Sequence, residues 1–194
     1  MPKIYTKKGD TGSSSTLLQC SIPKDSEVFK ILGSLDLVNA NLGLTNAEAK
    51  KELSADTFIF KESLPFIQGI LFCIGSFIAG YSTDNFVSSI IKATEKLEEE
   101  IDIFQEKFLP PLTNFILPGG SVAASYFHLS RAEVRNLERA LVTFFKKYDK
   151  ITYITSEEHR CILAFINRLS DYCFCAARYV NVIQDIEETI WSSK

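Results

Sequence analysis

The chain has 194 residues, 46% of them apolar and 23% charged, enough to bury a core in one domain and too apolar for a disordered chain. Its formal net charge of −3 excludes a general electrostatic grip on nucleic acid, so an anionic ligand must be held by locally placed basic groups. Five cysteines and two histidines include no CxxC pair and no His at metal-ligand spacing, which argues against zinc and predicts reduced, mostly buried thiols.

The first 25 residues precede any helical pattern. Met1 to Lys8 is polar and lacks an apolar h-region, so no signal peptide is expected. Gly9-Asp10-Thr11-Gly12-Ser13-Ser14-Ser15-Thr16 is a glycine- and hydroxyl-rich loop without Walker spacing. Two readings of it stay open: a disordered terminus, or a flap whose amides, hydroxyls and lysines (Lys7, Lys8, Lys24) close on phosphates.

Helical periodicity then takes over. Val28, Ile31, Leu32, Leu35, Val38 and Leu42 form one apolar stripe, and Ile67, Ile70, Leu71, Ile74, Phe77 and Ile78 form a second. The stretch from Phe66 to Tyr81 is the most apolar, but its length and Gly69, Gly75 and Gly80 favour a buried helix over a membrane span. A third seam comprises Ile90, Thr94, Leu97, Ile101, Phe104 and Phe108, with Glu95, Lys96, Glu98, Glu99 and Glu100 on a solvated outer face. Pro110 and Pro111 end that helix. After Pro118-Gly119-Gly120 a fourth helix is expected from about Ser121 to Tyr148. A fifth opens on the capping box Thr155-x-x-Glu158 and reaches about Val182. Five amphipathic helices with no strand pattern predict an all-α, five-helix up-and-down bundle in a single domain over 1–194: an N-terminal loop (1–25), the bundle (26–183) and a C-terminal tail (184–194).

Three charged groups interrupt this pattern. On the fourth helix, at 100° per residue with Arg131 at zero, Arg135 lies near about +40°, Glu138 near about −20° and Arg139 near about +80°. That stripe abuts the core residues Val134, Leu137, Leu141 and Phe145, so its arginines either reach a cleft or make ordinary exposed intrahelical pairs. On the fifth, Asn167, Asp171, Phe174 and Arg178 share one narrow face, while Ile166, Leu169, Cys173 and Val180 cover the core side. This face lines a polar cavity partnered by arginines of the adjacent helix, or belongs to a buried structural network. Asp36 sits beside the first helix's stripe, either paired with a guanidinium, for which Arg131 is the choice, or at the surface.

Together these segments resemble the PduO-type ATP:cob(I)alamin adenosyltransferases. The resemblance rests on Lys3 to Thr16, Pro23-Lys24-Asp25, Phe115-Ile116-Leu117-Pro118-Gly119-Gly120, His128-Leu129-Ser130-Arg131 with Arg135 and Glu138-Arg139, and Asn167-Arg168-Leu169-Ser170-Asp171 followed by Phe174 and Ala177-Arg178-Tyr179. It covers nearly the whole chain in the family's order.

The resemblance implies a ferritin-like bundle, a homotrimer with sites between subunits, and transfer of the 5′-deoxyadenosyl group of ATP to the cobalt of cob(I)alamin with release of tripolyphosphate. It implies that Thr6, Lys7, Lys8, Gly9, Ser14, Ser15 and Lys24, with Arg135, Asn136, Leu137, Glu138, Arg139 and Asn167, bind ATP. Asp36 and Arg131 form an intersubunit ion pair placing the corrinoid, and Phe115 sits against its lower face. Phe174 is a further corrinoid contact, and Asp36, Arg131, Phe115 and Asn167 make up the catalytic set. Mg²⁺ arrives with ATP, so no protein metal site is expected. The implied partners are further copies of the chain, a reductase and a cobalamin-dependent enzyme receiving the product, with neither nucleic acid nor membrane. The location implied is cytoplasmic, or the mitochondrial matrix in a eukaryote if a transit peptide was removed.

Three positions depart from the family's pattern. Leu37 follows Asp36 where the family usually has Glu, Asn136 replaces the second of two arginines, and Gln19-Cys20-Ser21 replaces Gly-Glu-Arg. Each removes a polar group, so the alternative is a non-catalytic relative binding ATP or corrinoid as a carrier or regulatory module.

Overall fold

Each apolar stripe of the sequence becomes the buried face of a helix in the computed structural model, which describes residues 3–147 and 154–192. Helix α1 (Glu27–Glu52) buries Ile31, Leu35, Val38 and Leu42, with Val28 and Leu32 partly covered. Helix α2 (Phe60–Ile78) buries all six of its predicted apolar positions. Among the described residues it is the one helix long and apolar enough to cross a membrane, and 44% of that apolar window is buried inside the protein. Helix α3 (Phe86–Lys107) buries Ile90, Ala93, Leu97, Ile101 and Phe104. Ala93, rather than the expected Thr94, fills the seam, and Thr94 Oγ1 instead donates back to the Ile90 carbonyl at 2.9 Å. Phe108 lies beyond the last turn, edge-on to Tyr179 at 5.0 Å.

Helix α4 (Val122–Lys147) packs on α1 and on α5 (Ser156–Ile183), and α5 also packs on α3. Weaker α2–α3 contacts close the bundle. The expected end of α4 at Tyr148 lies outside the described residues. The capping box of α5 is formed: the Glu158 N–H donates to Thr155 Oγ1 at 3.2 Å, and the Thr155 N–H donates to Glu158 Oε2 at 2.6 Å. Phe60, Phe104, Phe127, Tyr172 and Tyr179 interleave at the centre, each contributing roughly 1.5–3 kcal/mol by burial.

The start of α4 is held from two other helices. Glu52, at the end of α1, accepts from the Ala123 N–H through both oxygens, at 3.1 and 3.2 Å, placing a carboxylate at the positive helix terminus. Asn181 of α5 accepts from the Ser121 N–H at 3.1 Å and donates to the Gly119 carbonyl at 3.0 Å. Gly120 makes the tight turn between them, at φ 110°.

The N-terminal segment contains the strand pairing that the periodicity did not show. Short strands β1 (Ser13–Ser14) and β2 (Ile22–Pro23) pair antiparallel, with Ser13 opposite Pro23 and Ser14 opposite Ile22. Lys24 N–H donates to Gly12 O at 3.0 Å, and Leu17 N–H donates to Ala79 O at 3.1 Å, tying the loop to the end of α2. Two residues per strand are too few for hydrophobic alternation to reveal.

Candidate functional site

A cleft of about 660 Å³ opens between α3, α4, α5 and the loop that joins α3 to α4. Phe115 and Pro118 reach it from the loop, His128, Arg131 and Arg135 from α4, and Asp171, Phe174 and Cys175 from α5. The family-motif residues of two helices therefore share one cavity although more than thirty positions separate them in sequence.

The geometry divides the α4 stripe between the two readings, with Arg131 and Arg135 at the cleft and Arg139 in an exposed intrahelical contact. Glu138 is not paired with Arg135; it accepts from Asn167 Nδ2 of α5 at 2.9 Å. Asn136 donates to Glu133 at 3.4 Å, and Arg139 donates to Asn136. Arg131 stacks over the Phe174 ring, 5.5 Å from its centroid, and neither Arg131 nor Arg135 has a carboxylate partner within the chain among the described residues. Two guanidinium groups thus face the cleft without an ion-pair partner, in a lining that also carries Glu98, Asp102 and Asp171. Such free donors suit an anionic ligand.

Asp171, Arg178, Glu98 and Leu137 depart from the sequence expectations. Asp171 pairs with Arg168 on its own helix, at 2.7 Å, and Arg178 pairs with Glu188 of the C-terminal tail, so neither uses an arginine of α4. Glu98 is not merely solvated, because it accepts from Arg168 Nε at 3.0 Å and lines the cleft. Asp36 makes no ion pair with Arg131 inside the chain; it is exposed and lines a separate groove between α1 and α2 with Leu35 and Phe72. Leu137 is fully buried, so its side chain serves the core rather than a ligand surface.

Residues of the N-terminal loop converge elsewhere. Thr6, Lys8, Gly9, Ser14 and Ser15 line a polar pocket of about 420 Å³ that shares no residue with the cleft. Lys24 belongs to the same cluster, because its Nζ would lie 3.0 Å from a Cβ placed on Gly9. Lys7 holds a left-handed backbone, at φ 60°, beside them. These hydroxyls, amides and lysines have the composition of a phosphate cradle. Asn167, Glu138, Asn136 and Arg139 lie on the α4–α5 surface rather than lining the cleft, where Arg135 is their link to it.

His128 belongs to the α4 motif, and the sequence implies no role for it. It is buried at the cleft wall, and neither ring nitrogen has a hydrogen-bond partner among the described residues. Burial, then the Arg131 charge, push its pKa below the ordinary histidine range. Burial pushes the Cys173 thiol up to about 12 and the Cys175 thiol up to about 11, so both are neutral core groups. Cys161 is likewise buried, whereas Cys20 and Cys73 are exposed. Among the described residues, no three His, Cys, Asp or Glu side chains cluster as a metal site would require.

The family model described as cobalamin adenosyltransferase matches residues 4–180. The human corrinoid adenosyltransferase MMAB is 34% identical over 197 residues, covering 98% of this chain and 74% of the relative. The Bacillus subtilis (strain 168) corrinoid adenosyltransferase is 35% identical over 188 residues, covering 95% and 91%. A phenylalanine-to-alanine variant of the PduO-type ATP:corrinoid adenosyltransferase from Lactobacillus reuteri, solved in complex with cobalamin and ATP, superposes with a TM-score of 0.82 at 31% identity. That match covers 98% of this chain and all of the other.

Proposed function

The chain belongs to the cobalamin adenosyltransferase family, and we propose that it transfers the 5′-deoxyadenosyl group of ATP to the cobalt of cob(I)alamin or a related corrinoid, releasing tripolyphosphate. The observation carrying this reading is the cleft itself. It sets an apolar loop residue, Phe115, beside two arginines, Arg131 and Arg135, that have no ion-pair partner among the described residues. Cobalt(I) is the nucleophile: it forms the bond to C5′ while the C5′–O bond breaks and the electron pair leaves with tripolyphosphate. The protein therefore needs no base. It aligns the two substrates and neutralises the departing phosphates. Phe115 and Phe174 supply apolar surface for the corrin. Arg135, Glu138, Arg139 and Asn167, with Thr6 to Gly9, Ser14, Ser15 and Lys24, hold ATP and the Mg²⁺ that accompanies it.

The N-terminal ATP residues line one pocket, while Arg135 lines the cleft and Asn136, Glu138, Arg139 and Asn167 lie on the α4–α5 surface beside it. That separation supports a site completed between copies, as in a homotrimer. Asp36 of one copy then pairs with Arg131 of another. Leu37, Leu44 and Phe72 expose apolar surface on α1 and α2 that such an assembly would cover. Sedimentation at a trimer mass is the expected result; a monomer at micromolar concentration would remove the intersubunit site. A reductase supplying cobalt(I), a cobalamin-dependent acceptor, and a cytoplasmic or mitochondrial-matrix location fit the same reading.

The deciding assay is anaerobic incubation with ATP, Mg²⁺ and chemically reduced cobalamin, followed by absorbance. Appearance of the adenosylcobalamin spectrum is expected. ATP binding without that spectrum would favour the second reading, a non-catalytic carrier or regulatory module. The loss of a cation at Asn136 is the observation that favours it.

A further inference from the structure

The Phe115 loop has little packing of its own. The Phe115 side chain is 79% exposed, and no helix spans residues 109–121. Asn181 holds its far end through Gly119 and Ser121, and around Phe115 the backbone is fixed by the C-terminal tail. The Trp191 N–H donates to the Phe115 carbonyl and the Leu117 N–H donates to the Thr189 carbonyl, both at 2.8 Å, around an antiparallel bridge between Ile116 and Ile190. The Trp191 ring meets the Phe115 ring edge-on, with centroids 6.5 Å apart.

A bridge this short is not stable alone, and terminal segments fray unless tied down. Here the tie is Arg178 of α5, which is only 5% exposed. Its Nε donates to Glu188 Oε1 at 2.7 Å, and its Nη2 donates to Glu188 Oε2 at 3.0 Å and to the Pro110 carbonyl at 3.0 Å. One guanidinium therefore grips both the tail and the start of the loop. The path back from α5 is shaped by Asp185, at φ 53°, and by the Ile186 N–H donating to Asn181 O at 2.9 Å. Arg178 also lies 6.0 Å from the Phe174 ring, which lines the cleft.

We propose that the tail strand 189–191, anchored by the Arg178–Glu188 pair, positions the Phe115 loop and thereby sets how the corrinoid is received. This rests on the corrinoid reading of the cleft. Arg178, Glu188 and Trp191 are positioning residues, acting through Phe115 rather than on cobalt. The family match ends at residue 180, before the strand begins.

The test uses the full chain with Glu188→Ala and Glu188→Gln, changes outside the bundle core. Hydrogen exchange of the free protein should show the Leu117 and Trp191 amides losing protection in Glu188→Ala, with Glu188→Gln intermediate and α4 unchanged. Cobalamin affinity should weaken roughly tenfold in Glu188→Ala, read by quenching of Trp191, the only tryptophan, and by absorbance. ATP affinity, measured by calorimetry, should stay at the wild-type value. Released tail amides with a fully protected Leu117 amide would overturn the proposal, as would equal losses of cobalamin and ATP affinity. If the wild-type protein binds no cobalamin, the functional reading fails, while the Leu117 exchange still decides whether the tail positions the loop.

Discussion

Asn167 of α5 donates its side-chain amide to Glu138 of α4 across 2.9 Å, while Arg135, one turn away on α4, has no acidic partner among the described residues. Glu138 stands three residues from Arg135, a spacing that ordinarily joins such residues on a helix surface. Turned towards Asn167 through Oε1, the carboxylate makes no pair with that guanidinium, which lines the cleft instead.

Arg135→Ala should therefore cost roughly 1.5–3 kcal/mol in binding the ATP phosphates, the size of a charged hydrogen bond, and leave the helical circular dichroism unaltered. Asn167→Ala should act in the same direction but less strongly, by releasing Glu138 to neutralise Arg135. Isothermal titration with ATP distinguishes them. Unchanged affinity in Arg135→Ala would remove this residue from the site.

The five helices were legible because their stripes repeat locally and because the capping box lies within four residues of sequence. The α4 and α5 motifs likewise carried the cleft. What stayed hidden depends on partners far apart in the chain. Glu52 meets Ala123, Arg168 meets Glu98, and Asp36 faces a groove of its own, none of which periodicity encodes. The tail strand was invisible for another reason. Its single bridge is paired by main-chain groups, which every residue type supplies.

Gly120 offers a test of the α4 start. At φ 110° a side chain is strained, and a Cβ there would collide with the Asn181 amide that holds the Gly119 carbonyl and the Ser121 N–H. Gly120→Ala should destabilise the protein by about 2–4 kcal/mol, seen in urea melts. Asn181→Ala should destabilise it less, since it removes the two bonds without adding a clash. A larger loss in Asn181→Ala would show that the bonds, not the backbone, dominate.

Glu52 predicts an acid limit. Burial raises its pKa, but hydrogen bonds from Gln184, Ser121 and the Ala123 and Val122 amides outweigh this and hold it below the usual carboxylate range. The folded protein thus binds this proton more weakly than the unfolded chain. The stabilisation is complete above about pH 4.5 and is lost as pH falls through the lower folded value. Glu52→Gln should reduce stability by about 1 kcal/mol near neutrality, the worth of a helix cap, and flatten the slope below pH 4.5. An unaltered acid slope would place the titration elsewhere.

His128 sets a second, higher window. Its pKa is lowered, first by burial and then by Arg131, against a weaker opposing effect of Glu188, so the folded protein keeps a neutral ring at the cleft wall. The unfolded chain takes up a proton near about pH 6.5. Stability should therefore be full above that value and decline as pH falls from there towards the lower folded pKa. His128→Phe preserves a flat ring beside Phe174, removes two unpartnered nitrogens, and should gain about 1 kcal/mol while abolishing the decline. Denaturant melts between pH 5 and pH 8 on both proteins measure this. If the variant is more stable yet keeps the wild-type slope, His128 is not the titrating group. If it loses stability at every pH, the imidazole nitrogens have partners in solution and the buried ring is structural. The predicted gain, if found together with weaker cobalamin binding, would mean that His128 is kept at a cost to stability because a corrinoid amide satisfies it.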